Sequence, residues 1–280
     1  MTADRVQIPF AGGLVFDALV DGPADGGVVL LLHGFPQSSA IWLPQLEALA
    51  DAGYRAVAFD QRGYSPGARP KGVEQYRIAR LVDDTLGVAN HLGADRFSVV
   101  GHDWGAVVAW HLAAHHPDRI RSLTVLSVPH PVAFAMALAS SEGDQRHRSS
   151  YISFFRQAHV AETTLLADGL ATMLRASGYP GDVDERVGAL SQPGALTAAL
   201  NWYRAIDFTL VSGVGRITVP TLYAWSTGDV ALGREGAEAT ATFVEGPYRF
   251  EILEGVSHWI PEEVPDVVTR LLLEHLAGEA

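Results

Sequence analysis

The strongest constraint in this sequence is a series of short apolar runs, each followed by a stretch with helical spacing. VVLLL (28–32) leads into a helix-like stretch near 39–52, AVAF (56–59) into one near 74–92, and FSVV (97–100) into WGAVVAWHLAAHH. SLTVL comes next, at 122–126. A run that is apolar at successive positions has both faces buried, and strands that alternate with helices are joined by crossovers. The pattern predicts an α/β fold: a mostly parallel sheet with helices on both faces. The alternation lapses between about 130 and 215, where helical patterns and loop signals occur without a clear buried strand. It resumes at TLYAW (221–225) and RFEILEG (249–255).

Two further segments fit this frame. Residues 6–20 read as an antiparallel hairpin turning at Gly12-Gly13. Val264, Val267, Val268, Leu271 and Leu272 recur at i, i+3, i+4, i+7 and i+8, the stripe of a helix packed on a core. The expected organisation is one core domain, residues 1–129 and 216–280, interrupted by a helical lid, residues 130–215. An insertion at that point covers the C-terminal ends of the strands, where open α/β sheets bind ligands.

Composition removes several function classes. A chain of 280 residues, 48% of them apolar, buries a large core without staples. A net charge of −12 argues against general nucleic-acid binding. The absence of cysteine removes thiol nucleophiles, disulfides and thiolate metal sites. The longest apolar run, VAFAMALA (132–139), is far short of the roughly 18 residues of a membrane span. MTADRVQIPF lacks the apolar centre of a signal peptide. The expectation is a soluble, cytoplasmic protein, monomer or homodimer, with no nucleic-acid or membrane partner.

The sharpest motif is GHDWG (101–105), between a buried strand and a helix. This is the setting of a nucleophile elbow, in which glycines permit a tight turn and close helix–strand packing. The usual Ser is replaced by Asp103. A hydroxyl must lose a proton before it attacks, whereas a carboxylate is already ionised at neutral pH. Asp103 therefore suits attack on saturated carbon, with a covalent ester as product. Its structural alternative is a helix N-cap.

GVSHWIPEE (255–263) supplies a base, His258, and WSTGDVAL (225–232) supplies Asp229 to orient it. The order Asp103, Asp229, His258 is the order of nucleophile, acid and histidine in α/β-hydrolases. A surface-loop histidine and a turn aspartate are the structural alternatives. The other acid position, after the strand at 122–126, reads SVPHP and holds no carboxylate. HGFP (33–36) follows the first parallel strand, so the backbone N–H groups of Phe35 and Trp104 occupy the two places of an oxyanion hole. His33 and His102 read as structural residues. No histidine–carboxylate cluster has metal-ligand spacing, so neither metal nor cofactor is expected.

HGFP, GHDWG, the Asp229 loop and the SHW loop, in this order, resemble the epoxide hydrolases of the α/β-hydrolase superfamily. The resemblance covers essentially the whole chain. It implies the α/β-hydrolase fold with a lid, and two lid tyrosines: Tyr151 in YISFFRQAHVAE (151–162) and Tyr203 in NWYR (201–204). Opening an epoxide puts negative charge on its oxygen, and the two phenols would hold and protonate it. Lid packing is the structural alternative for each. The implied substrate is a small apolar or aryl epoxide, with water as co-substrate and a vicinal diol as product. Phe35, Trp104, Phe154 and Trp202 are the expected substrate-binding side chains.

Two other readings remain at this level. A haloalkane or haloacid dehalogenase shares the Asp nucleophile, and the Trp104 indole would suit a halide. Phe35, however, brings no second side-chain donor, and Trp104 stands where haloacetate dehalogenases carry Arg. A binding protein on the same fold would form no covalent ester.

Overall fold

The computed structural model describes residues 3–206 and 213–278. Eight strands form one sheet: β1 (Asp4–Pro9), β2 (Val15–Asp21), β3 (Val28–Leu32), β4 (Arg55–Phe59), β5 (Phe97–His102), β6 (Ile120–Leu126), β7 (Thr221–Ser226) and β8 (Tyr248–Leu253). Their spatial order is β1-β2-β4-β3-β5-β6-β7-β8. The β1–β2 and β2–β4 pairs are antiparallel, and every other pair is parallel. The hairpin expected over 6–20 is β1–β2, with Ile8 opposite Phe16.

The central strands are apolar on both faces because both faces are covered. Every residue of β3, β5 and β7 is buried. On one face Leu30, Leu32, Val57 and Val99 pack with Trp110, Val108 and Leu112; on the other, Leu31, Ala58 and Val100 pack with Leu46, Leu49, Val268 and Leu272. The helices that provide these contacts are α1 (Leu43–Asp51), α2 (Ile78–His91), α3 (Trp104–His115) and, at the end of the chain, Pro265–Ala277. Of the terminal stripe, Val268, Leu271 and Leu272 are buried, while Val267 is half-buried and Val264 caps the helix.

Between β6 and β7 the described chain is helical: α4 (Pro131–Ala139), α5 (Gln145–Arg148), α6 (Tyr151–Phe155), α7 (Val160–Thr164), α8 (Leu170–Ala176), α9 (Val183–Leu190) and α10 (Ala195–Arg204). Residues 207–212 of the expected lid lie outside the described residues. α6 to α10 have their own apolar centre, which includes Phe155, Leu165, Leu170, Leu174, Leu196 and Leu200. Phe35 and Trp259, from loops at the C-terminal ends of β3 and β8, complete that centre. The helices therefore sit over those strand ends. A direct tether adds to the packing: the Trp202 indole donates to the Arg62 carbonyl at 2.8 Å. After β7 come α11 (Arg234–Ala239), then α12 (Ile260–Glu263) and α13 (Pro265–Ala277). Among the described residues no helix is long and apolar enough to cross a membrane.

Candidate active site

The β5–α3 turn puts Asp103 at φ 51°, ψ −119°, a conformation that non-glycine residues rarely adopt. Close packing around it explains why the turn is held. A Cβ on Gly105 would lie 2.1 Å from the Leu32 carbonyl oxygen, and one on Gly101 would lie 2.3 Å from that of Gly105. Helix α3 can start directly against β3 and β5 only because both positions lack a side chain. Gly34, in the HGFP loop, is equally constrained, since its Cβ would fall 2.3 Å from that of Asp103.

The two oxygens of Asp103 have different surroundings. Oδ1 accepts from the Phe35 amide at 2.7 Å, and the Trp104 amide also donates to the carboxylate. Oδ2 lies 3.5 Å from His258 Nε2. His258 Nδ1 lies 2.8 Å from Asp229 Oδ2, while Asp229 Oδ1 accepts from the amides of Ala231 (2.7 Å) and Leu232 (3.0 Å). Asp229 and His258 stand on the loops after β7 and β8, neighbouring strands in the sheet. Burial alone would favour the neutral form of Asp103. The His258 imidazole, then His102 and the Trp104 amide, outweigh it and hold the carboxyl below its usual range. Burial likewise opposes charge on His258, but Asp229 and Asp103 push it up to about 10. At neutral pH the pair is carboxylate and imidazolium.

Tyr151 and Tyr203 come from different helices, α6 and α10, and both line a cavity of about 470 Å³ with Asp103 and Trp104. Their rings are 6.1 Å apart, and the Trp104 ring meets that of Tyr203 edge-on at 5.2 Å. Burial, followed by the Asp103 charge for Tyr151 and by the Tyr151 hydroxyl for Tyr203, raises both phenols well above the usual tyrosine value, so both keep their protons. Val107, Phe134, Ile152 and Trp202 make the wall mostly apolar, within the size range of small-molecule sites.

Two expected substrate-binding side chains stand elsewhere. Phe35 is not part of the cavity wall; its ring packs on Phe155 (5.3 Å) and Tyr203 (5.5 Å), and its backbone amide faces Asp103. Phe154 lies outside the wall too, against Phe155 at 5.9 Å, because the turn of α6 directs Tyr151 rather than Phe154 to the cavity. Trp104 and Trp202 do line it.

Ser127 is a participant that the sequence reading passed over. Its hydroxyl lies 3.2 Å from Asp229 Oδ2 and 3.1 Å from His258 Nδ1. The only signal was its place, directly after β6 in the SVPHP segment, which was weighed for carboxylates alone. His111 also lines the cavity, and burial first, then His115 and His130, lower it to about 4, so it is neutral there. His33 sits in the β3 loop, bonded to the Gly34 carbonyl and the Gln61 amide. Among the described residues no group of three or more His, Cys, Asp or Glu is arranged to hold a metal ion.

Residues 27–265 match the family model for the alpha/beta hydrolase fold. Epoxide hydrolase A of Mycobacterium tuberculosis (strain ATCC 25618 / H37Rv) is 35% identical over 99% of both chains. The chain belongs to the epoxide hydrolases of the α/β-hydrolase superfamily. An AB hydrolase superfamily protein of Bacillus subtilis (strain 168) is also 35% identical, over the full length of both. Among solved structures, epoxide hydrolase A from Mycobacterium thermoresistibile superposes with a TM-score of 0.85 at 30% identity, covering 99% of each chain. The eight-stranded, mostly parallel sheet is thus that of an epoxide hydrolase, and the chain is a hydrolase by descent as well as by architecture.

Proposed function

We propose that this epoxide hydrolase acts on a small apolar or aryl epoxide, with Asp103 as nucleophile, and releases a vicinal diol. The observation that carries the reading is that Asp103, Tyr151 and Tyr203 line one cavity, where a buried carboxylate meets two phenols. Residues 130–215 serve as the lid that brings the phenols there.

In the first step Asp103 Oδ2 attacks an epoxide carbon. The ring C–O bond breaks, its electron pair goes to oxygen, and that oxygen takes a proton from a tyrosine hydroxyl. The result is a hydroxyalkyl ester on Asp103. With the Asp103 charge gone, one of the two carboxylates that kept His258 protonated is lost. The proton that His258 then releases matches the one the phenolate regains. Neutral His258, oriented by Asp229, next takes a proton from water as the oxygen of that water adds to the ester carbonyl. The developing charge falls on Oδ1, which faces the Phe35 amide, with the Trp104 amide beside the same carboxyl group. Collapse releases the diol. The imidazolium protonates the departing oxygen, and the proton of the new carboxyl group restores the ion pair.

The hydrogen bonds also weigh against halide release. The Trp202 indole donates to Arg62, and Phe35 has no side-chain donor. A leaving halide would find the Trp202 N–H already engaged.

Intact mass spectrometry of His258→Ala tests the reading. Incubation with an epoxide is expected to add the whole epoxide mass, and the Asp103→Ala, His258→Ala double variant is expected to add nothing. An alkyl gain with loss of halide from a haloalkane, and none from epoxides, would overturn it.

A further inference from the structure

Ser127 is fully buried directly after β6, at a backbone angle (φ 73°) that favours glycine. Its backbone is pinned on both sides. The amide donates to the Ala224 carbonyl at 2.9 Å, and the Tyr223 hydroxyl donates to the Ser127 carbonyl at 2.9 Å. What serine brings to this place, and glycine would not, is a hydroxyl group beside Asp229 and His258. Its Oγ lies 3.1 Å from His258 Nδ1, 3.2 Å from Asp229 Oδ2, 3.4 Å from the His258 carbonyl oxygen and 3.5 Å from His102 Nε2.

Counting protons gives the direction of these contacts. The hydroxyl has one hydrogen to give. The His258 carbonyl only accepts, and His102 Nε2 already donates to it at 2.8 Å. Asp229 Oδ2 is the nearer acceptor and carries charge, which makes it the stronger one. The Ser127 proton therefore goes to Oδ2, beside the His258 Nδ1–H. With the Ala231 and Leu232 amides on Oδ1, the Asp229 carboxylate has four donors.

The Ser127 donor matters most at one stage. While His258 is an imidazolium, Asp229 has a cation beside it. Once His258 is neutral, Asp229 is a buried anion held by hydrogen bonds alone, and each remaining donor counts. A carboxylate that stays ionised can only accept. It thereby keeps the imidazole hydrogen on Nδ1 and leaves the Nε2 lone pair on the side of Asp103, where water is activated.

We propose that Ser127 is a positioning residue for ester hydrolysis, whose hydroxyl holds Asp229 ionised and oriented while the His258 imidazole is neutral. It acts through Asp229 and touches no reacting atom. This rests on His258 as the hydrolytic base.

The test compares Ser127→Ala with Ser127→Gly in the full-length protein. Both remove the hydroxyl, but glycine also suits the φ of 73°. In single-turnover measurements both are expected to hydrolyse the ester about tenfold more slowly, the loss of one hydrogen bond to a charged group, and to alkylate within about twofold of the parent rate. Proton NMR of the substrate-free enzyme gives a signature independent of turnover. The His258 Nδ1–H resonance should move downfield in both variants, because that N–H no longer shares Oδ2 with a second donor. Unchanged hydrolysis in both variants, equal losses in alkylation and hydrolysis, a glycine variant with the parent hydrolysis rate, or an unmoved resonance would overturn the role. A parent enzyme that forms no ester from any epoxide would instead sink the catalytic reading, and the resonance would still decide whether the hydroxyl donates to Asp229.

Discussion

Asp103 and His258 form an ion pair before substrate arrives, and this sets the expected pH dependence. Asp103 is held below its usual range and His258 pushed up to about 10, each chiefly by its charged partners working against burial. In the proposed mechanism alkylation needs ionised Asp103 and is therefore supported across neutral pH, and hydrolysis needs neutral His258. Esterification removes the Asp103 charge, so the imidazole of the ester must titrate below the free-enzyme value of about 10. In single-turnover experiments the hydrolysis rate should rise with pH and level off well before pH 10. A rate still climbing there would contradict the loss of Asp103 support. Tyr151→Phe and Tyr203→Phe each remove one of two proton donors. Each is expected to slow alkylation by about 10²-fold, the range of a single general acid, with a smaller effect on hydrolysis. Stopped-flow fluorescence resolves the two phases.

At the scale of elements, the site depends on how closely α3 starts against β3. Gly105 lets the first turn of the helix approach the Leu32 carbonyl, and Gly34 lets the β3 loop approach Asp103. Gly105→Ala inserts a methyl group against rigid backbone. It is expected to lower stability by about 3 kcal/mol, the upper end for overpacking, and to abolish most activity by displacing Asp103. Thermal unfolding and ester formation measure the two effects. A variant with unchanged melting and full ester formation would mean that the turn is looser than its packing indicates. The loops after β7 and β8 are placed differently: the strands are paired in register from Thr221–Tyr248 to Ser226–Leu253, which sets Asp229 and His258 side by side.

For the whole molecule, substrate choice in the proposed reading belongs to the joint between the sheet and the helices inserted between β6 and β7. Val107 comes from a core helix, Phe134, Ile152 and Trp202 from lid helices, and together they give the cavity its apolar wall. Across a panel matched for size, kcat/KM is expected to favour apolar and aryl epoxides over charged ones, by about tenfold or more per buried charge. Comparable turnover of both classes would refute the preference. The helices between β6 and β7 keep their position through their own apolar centre with Phe35 and Trp259, and through the Trp202–Arg62 and Trp259–Ser177 hydrogen bonds. They form a packed layer over the strand ends.

The sequence alone determined the features that repeat at short range. VVLLL, FSVV and TLYAW read as buried parallel strands because burial on both faces leaves no polar position. GHDWG read as an elbow because strand, glycines and helix are contiguous. Asp103, Asp229 and His258 could be proposed because each follows a strand at a recognisable turn. Tyr151 and Tyr203 could be proposed only through a family likeness, since an aromatic residue on a helix looks the same whether it packs or faces a cavity. Tertiary structure alone decided what depends on direction and on partners distant along the chain. It turned Phe35 and Phe154 away from the cavity, brought Ser127 to the Asp229–His258 pair, and joined Glu262 to His102 through Gln37. Hydrogen bonds between residues up to 225 positions apart leave no periodic trace in a sequence, because their geometry comes from the packing of whole elements.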